Sequence, residues 1–443
     1  MKYTKEIDFV LDYAKNKVDD IEILITTGEV KTVSVNKGEL EKIDFKSVLG
    51  LGVRVILKGK TGYAYTENLA EKNLGKVVEK AIENAWCIET YENDFISNFP
   101  DEPFDFQGYN PEFDNITTDD LLHYALLMEK TAIADKRVNV VNYCSVGMSV
   151  GGNIIANSKG MRKGFKSNLV HGFIGVLVGN EGEVKQGFYG KRLNTPSEPL
   201  VKSIANLAVQ KAVALLNPQA LTSGNYPVLI DNRTMGVMLE TFSSVFSAKS
   251  VHEGNSLLKD KLNETIASKE VTIIDDGKLA GGIATSPFDA EGHTSQTTIL
   301  IQDGVLINLL HNSLTAKKEN THSTGNASRD YSSTLTVAPT NIMIKSGKNT
   351  KADLLCRYPE VVEIVSLAGL HSGANQTSGD FSLSAEGFLW KDGNRQHALK
   401  NFTVSGNFYR MLKDIDGVGD DFEFFLSSAV SPSVLINNLS LSN

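Results

Sequence analysis

Leu49-Gly50-Leu51-Gly52-Val53-Arg54-Val55-Ile56-Leu57, followed by Lys58-Gly59-Lys60-Thr61-Gly62 and then Tyr63-Ala64-Tyr65-Thr66, decides the fold class. The apolar runs and the Gly/Lys punctuation between them read as a strand, a tight turn and a second strand. Gly50 and Gly52 invite comparison with a phosphate-binding loop. Such a loop opens a helix whose N-terminus holds the anion, and no helical pattern follows here. Gly-x-Gly inside a strand instead reads as close strand packing. Upstream, residues 21–25, 31–35 and 40–45 read as strands, with Gly38-Glu39 as a hairpin turn. The result is an antiparallel meander rather than a βαβ unit, which makes the chain α+β.

Helices are read outward from this meander by their period. Ile7, Val10, Leu11, Ala14 and Val18 share one face of a helix over residues 4–18. Val77, Val78, Ala81, Ile82 and Ala85 do the same over residues 69–87. Residues 90–116 hold Pro100, Pro103 and Pro111 without a period and read as a long surface connection. Thr118 reads as the N-cap of a helix reaching residue 135. Strands follow over 138–143, 145–155, 160–166, 168–179 and 183–189, then a helix over 196–216 that Pro218 stops.

Past Ser223-Gly224-Asn225-Tyr226-Pro227 the texture changes. Residues 228–230 read as a buried strand and 234–244 as a short helix. From Val271 onward strands and turns dominate, at 271–274, 296–302, 305–310, 341–344, 361–367, 381–388, 402–405 and 434–436. Asp303-Gly304 marks a hairpin, and short helices interrupt at 351–357 and 407–413. Two domains are expected: residues 1–220, with helices packed on antiparallel strands, and residues 221–443, rich in β-structure.

The charge balance, 44 basic against 53 acidic residues in 443, argues against a nucleic-acid partner, since a phosphate backbone demands a basic face. Cys87, Cys144 and Cys356 are widely spaced and read as small buried or half-buried residues, in keeping with a reducing compartment. The N-terminal helix is amphipathic, unlike a secretory signal, and no run of about 18 apolar residues occurs. A cytoplasmic protein without a membrane span is expected.

For metal chemistry, His252-Glu253 would begin a zinc-protease helix if a second His stood one turn on. Those positions are Ser256 and Leu257, and neither a hydroxyl nor an alkyl group replaces imidazole on zinc. The pair therefore reads as a surface loop. The other histidines lack helical ligand spacing; a site built from distant strands would draw on His293, His322 and His371. Ser372 beside His371 is no catalytic pair, since neighbours on a strand face opposite ways. Three polar segments remain as candidate binding loops. Residues 285–294 carry Asp289, Glu291 and His293. Residues 322–330 carry Asn326. The glycine-rich run 369–382 carries His371, Ser372, Asn375, Asp380 and Phe381.

Taken in order, these segments resemble the PmbA/TldE branch of the TldD/PmbA family. The matching pieces are Leu49 to Val55, Gly62-Tyr63-Ala64, Ser223 to Val228, Phe242-Ser243-Ser244, Ser286 to Gly292 and Ser323 to Ala327. Further on come Gly369-Leu370-His371-Ser372-Gly373, Thr377 to Ser382, Gly406-Asn407 and Ser431-Pro432-Ser433. The resemblance spans nearly the whole chain and is densest after residue 220.

TldD-like members carry a His-Glu-x-x-x-His helix and a distant C-terminal Cys that completes the metal site. This chain has no such helix, and its corresponding stretch, Phe425-Leu426-Ser427-Ser428-Ala429-Val430, has no Cys. The resemblance therefore implies a non-catalytic subunit, with no cofactor of its own and with zinc in a TldD-like partner. The pair would form a heterodimeric protease acting on unfolded peptides; a homodimer is the other assembly considered. The three polar loops would line the peptide cavity. Two other functions stay open: an autonomous metallopeptidase with a non-standard metal site, and a protein that modulates DNA gyrase or toxin action without proteolysis.

Overall fold

The computed structural model describes residues 2–89, 93–100, 102, 104–180 and 183–443; Pro103 of the expected connection lies outside them. The first half builds a single antiparallel sheet. Its strands are β1 (Asp20–Asn36), β2 (Glu39–Leu57), β3 (Lys60–Thr66), β4 (Val138–Asn157), β5 (Arg162–Gly164), β6 (Ser167–Asn180) and β7 (Glu183–Arg192). Their order is β3-β2-β1-β4-β6-β7, with β5 beside β4. The separate short strands expected before residue 57 are two long ones, and residues 138–157 are one. Thr26-Thr27-Gly28 has the composition of a turn, yet β2 and β4 pair with β1 through it on both sides, so its backbone groups stay in the ladder.

Four helices cover this sheet: α1 (Thr4–Ala14), α2 (Glu71–Cys87), α3 (Thr118–Ile133) and α4 (Glu198–Ala214). Ile7, Val10, Val77, Val78 and Ala81 bury against Leu51, Val53 and Val55 at one end. Leu121, Ala125, Met128, Ile204 and Ala208 bury against Val146, Ile174 and Val176 at the other. The N-cap of α3 is Thr117, not Thr118. Thr117 Oγ1 accepts from the Asp120 N–H while the Asp120 carboxylate accepts from the Thr117 N–H, a reciprocal cap worth about 1 kcal/mol. Cys144 is buried as expected, but Cys87 and Cys356 are exposed.

The second half opens with β8 (Gly224–Ile230) and α5 (Asn232–Phe242). Strands β9 (Ile273–Asp276), β10 (Thr297–Gln302), β11 (Val305–Leu306), β14 (Ile342–Ile344) and β20 (Ala429–Val430) form one sheet, ordered β11-β10-β9-β14-β20. A two-stranded ribbon, β12 (Ala327–Ser328) and β13 (Thr336–Val337), stands beside it. The larger sheet uses β15 (Glu360–Ala368), β16 (Asp380–Lys391), β17 (Asn394–Ala398), β18 (Phe402–Asn407), β19 (Ile415–Val418) and β21 (Val434–Ser442) together with β8. Its order β15-β8-β21-β18-β16 returns to β15, so these five strands close on themselves and leave no free edge among them. Val228, Ile230, Phe242, Leu383, Val404, Phe408 and Ile436 belong to the core enclosed between this sheet and α5. Asp303 and Gly304 both take positive φ, which a tight hairpin between β10 and β11 requires.

The two halves meet over β1 and β2. Tyr331 of the second half lies on Gly50 and Gly52, and a Cβ at either glycine would collide with it. Close approach is thus the reason for Gly-x-Gly here. Beside this contact Arg54 is completely buried. Its Nε stands 3.3 Å from Glu22 Oε1, and its Nη1 stands 3.5 Å from Glu291 Oε1 and 3.9 Å from Asp94 Oδ2. Arg329 Nη2 donates to the same Glu22 oxygen at 2.6 Å. Glu291 and Arg329 come from the second half, so the ion cluster joins the halves.

Candidate functional site

The glycine-rich run 369–382 forms one wall of an open groove of about 1160 Å3; α5 forms the facing wall through Val237, Glu240 and Thr241. Residues Leu370–Gly373 make a helical turn instead of the strand that the sequence suggests, entered through Gly369 at φ 86°. His371 and Ser372 therefore follow one another around a turn, both exposed. Asn375 and Asp380 shape the tight loop that follows. Asn375 Oδ1 accepts from the N–H groups of Thr377 and Ser378, each at 3.0 Å. Asp380 accepts from Asn407 Nδ2 and Ser378 Oγ, each at 2.8 Å, and these bonds hold its carboxyl below the usual range. Phe381 turns inward and packs on Phe242, so it anchors the wall to the core. All five residues singled out in this run border the groove.

The other candidates lie elsewhere. Asp289 is buried inside its own loop, where Oδ1 accepts from the N–H groups of Glu291 and His293 and Oδ2 from that of Ala327. Burial, with Glu291 nearby, pushes the Asp289 carboxyl up. Glu291 belongs to the ion cluster at the junction and accepts from the Ser313 N–H. His293 is half-buried with its ring edge-on to Phe99, 4.4 Å between centroids, and burial lowers its pKa. Asn326 is buried and donates to Asp275 Oδ2 at 2.6 Å and to the Ala338 carbonyl at 3.1 Å. These four residues form turns and joints, not the groove.

His252 closes a helix, Ala248–His252, and pairs with Glu319 at 2.7 Å; His311 Nε2 is 3.8 Å from the other oxygen of that carboxylate. Two segments supply this trio, His252 from one and His311 and Glu319 from the two ends of the helix Ser313–Lys318. Among the described residues no group of three or more His, Cys, Asp or Glu side chains is arranged to hold a metal ion.

Helix α5 is the element whose role the sequence hid. Asp231 caps it, its Oδ1 accepting from the Thr234 N–H at 2.7 Å. One face of α5 packs into the core through Met235, Met238, Leu239 and Phe242. Residues 425–429 run against another face. Ser427 Oγ donates to Glu240 Oε2 at 2.9 Å, the Arg233 guanidinium lies 5.9 Å from the Phe425 ring centre, and Gly236 sits against the Ala429 carbonyl. The polar side chains that meet it there are a guanidinium and one carboxylate, from Arg233 and Glu240. That set lacks imidazole and thiolate, and it does not fit a zinc ion.

Comparison with known proteins gives a consistent result. Sequence models for the PmbA/TldA metallopeptidase domain 1, central domain and C-terminal domain match residues 21–85, 111–216 and 223–443 in turn. A metalloprotease PmbA homolog of Haemophilus influenzae is 26% identical over 98% of this chain and 95% of its own length. A proposed modulator of a DNA gyrase from Thermotoga maritima superposes with a TM-score of 0.91 at 26% identity, covering 100% of both chains. TldE from Thermococcus kodakarensis shares the fold with a TM-score of 0.89 at 21% identity, over 99% of this chain and 100% of its own. No described helix is long and apolar enough to cross a membrane. With its three domain matches in sequence order and one fold shared from end to end, this chain belongs to the PmbA/TldD metallopeptidase family.

Proposed function

We propose that this chain is the TldE-like, non-catalytic subunit of a TldD/TldE-type metalloprotease. In this reading the metal and the cleavage chemistry reside in a TldD-like partner, and this chain supplies part of the wall that encloses unfolded peptides. One observation carries the proposal. The resemblance equates residues 425–430 with the Cys-bearing segment of the metal-binding members, and the helix packed on that segment here is α5. Helix α5 has neither His nor Cys, and its one carboxylate, Glu240, accepts from Ser427 Oγ. A helix without imidazole or thiolate supplies no zinc ligand of the usual kind, and a carboxylate already bonded to a serine is poorly placed to act as a base on metal-bound water.

The groove beside α5 supports the peptide-binding part of this reading. It is open, polar along 371–380, and bordered by the start of β16. An extended peptide bound there would rely on main-chain hydrogen bonds, which tolerate many sequences. The test is metal content and peptide cleavage, measured for the purified chain alone and mixed with a TldD-like subunit from the same cell. The expected result is neither metal nor cleavage alone, with cleavage in the mixture. Stoichiometric metal and peptide cleavage by the lone chain would replace this reading with that of an autonomous metallopeptidase.

A further inference from the structure

A second cavity, of about 440 Å3, lies on the other side of Val237, where β7 and α4 of the first half face α5, β15 and β16 of the second. Phe188, Leu207, Leu215, Val365, Leu367 and Phe388 make much of its wall apolar. Five charged side chains also reach it: Lys211, Arg233, Lys351, Asp231 and Glu386. Two of these are already matched. Lys351 Nζ stands 2.6 Å from Glu363 Oε1, and Glu386 Oε1 accepts from Lys185 Nζ at 2.8 Å. Glu423, close behind, accepts from Lys191 at 2.8 Å and from Tyr189 Oη at 2.9 Å.

That leaves Lys211 and Arg233 facing the buried Asp231, with Glu423 the next acid acting on both. Asp231 commits one oxygen to capping α5. Arg233 donates from Nη1 to the Phe188 carbonyl at 2.9 Å, which leaves most of its five N–H groups free. Lys211 has no hydrogen bond or ion pair among the described residues; the Tyr189 ring centre is 5.9 Å from its Nζ. Desolvation lowers the pKa of both cations, as expected where burial outweighs the opposing charge. An anion placed between them would relieve that cost. Asp231 and Glu423 already oppose these cations, so a monoanion fits better than a phosphate dianion, whose second charge would face Asp231 without compensation. The apolar wall asks that the anion be carried on hydrocarbon.

We propose that this cavity binds an apolar carboxylate, with Lys211 and Arg233 holding the carboxyl group and the wall of Phe188, Leu207 and Phe388 holding the hydrocarbon. The C-terminal residue of a peptide and a free acid of the same size share this chemistry. The proposal rests on the cavity and not on the partner-subunit reading; it is tested on the isolated chain, without protease activity.

Titration calorimetry would use four probes: acetyl-Ala-Ala-Leu with a free carboxylate, the same tripeptide as its C-terminal amide, N-acetyl-leucine and N-acetyl-leucinamide. Each carboxylate is expected to bind about tenfold or more tightly than its amide, the worth of a charge-assisted hydrogen bond. Lys211→Gln and Arg233→Gln should each weaken carboxylate binding about tenfold and leave amide binding unchanged. A tripeptide acid that outcompetes N-acetyl-leucine points to peptide termini as ligands; equal affinity points to a free acid. Equal binding of acid and amide overturns the proposal. So does the absence of carboxylate binding up to about 10 mM, or full carboxylate affinity in Lys211→Gln. Arg233→Gln loses a structural hydrogen bond, whereas Lys211→Gln breaks none, so Lys211→Gln with an unchanged melting temperature decides the matter.

Discussion

Residues 285–294 and 369–382 look alike as sequence, each setting acidic side chains and one histidine among small residues and glycine, with two acids in the first and one in the second, and the fold puts them to opposite uses. The first loop is pressed against β1 and β2. Its Glu291, 1% exposed, reaches the buried Arg54, and its Asp289 is satisfied by three backbone N–H groups. The second loop faces open solvent and α5, with His371, Asn375 and Asp380 exposed along a groove. Residue types fixed the local turns in both cases. What differs is the neighbour that arrives from elsewhere in the chain. Arg54 and Arg329 need carboxylates because an unpaired buried charge is costly, and the 285–294 loop brings one of them.

The sharpest way to break this contrast is to remove the cation at the joint. Arg54→Met leaves Glu22 and Glu291 buried with less opposing charge. A loss of about 3–5 kcal/mol in chemical denaturation is expected, the usual cost of deleting one partner of a buried ion pair. A loss below about 1 kcal/mol, the size expected of an exposed pair, would mean the joint is no more structural than the groove.

Much of this architecture was readable, and the failures have physical causes. Leu51, Val53 and Val55 alternate on one face of β2, so the strand and its buried side were plain. The burial of Arg54 on the opposite face could not be read locally, because the groups that cover it, Glu291 and Arg329, lie more than two hundred positions away in the chain. The long strands were split at Thr26-Thr27-Gly28 for a similar reason: local composition suggested a turn, and pairing on both sides overrode it. The groove residues were legible as a polar glycine-rich run. The cavity around Lys211 and Arg233 was not, since residues 196–216 and 234–244 read only as helices and the approach of β7 to both comes from the tertiary fold. The four candidates at Asp289, Glu291, His293 and Asn326 share their residue types with binding loops, and burial alone separates them.

A second prediction sharpens the buried side by pH. Asp275, which holds Asn326 and Thr340, is 2% exposed, and burial pushes its carboxyl up to about 6 from 3.8. The folded state thus holds this proton more tightly than the unfolded chain. The associated stability is fully present below the unfolded pKa and is lost as pH rises through about 6. A shift of about two units corresponds to about 3 kcal/mol. Denaturation midpoints taken from about pH 4 to about pH 7 should show wild type losing that much relative to Asp275→Asn. Parallel curves would mean that the Asn326 and Thr340 hydrogen bonds keep the carboxylate ionised, and this part of the fold would not be pH-sensitive.

The smallest change in stability is expected on the exposed side, and it tests the contrast from the other direction. His371 lies on a short turn, exposed, with the core anchor of its wall supplied by Phe381 instead. His371→Ala should therefore alter folding stability by no more than about 0.5 kcal/mol, the range of ordinary surface substitutions. If the groove holds peptide, the same variant paired with a TldD-like subunit should raise KM about fivefold, the worth of one hydrogen bond to a bound main chain, while kcat stays near wild type, as expected of a side chain that only binds. A stability loss above about 1 kcal/mol would make His371 structural, and the two loops would then differ only in degree. Unchanged stability with unchanged KM would leave the loops distinct but remove peptide from this groove. Only a KM effect without a stability effect gives the exposed loop a role that the buried loop cannot share.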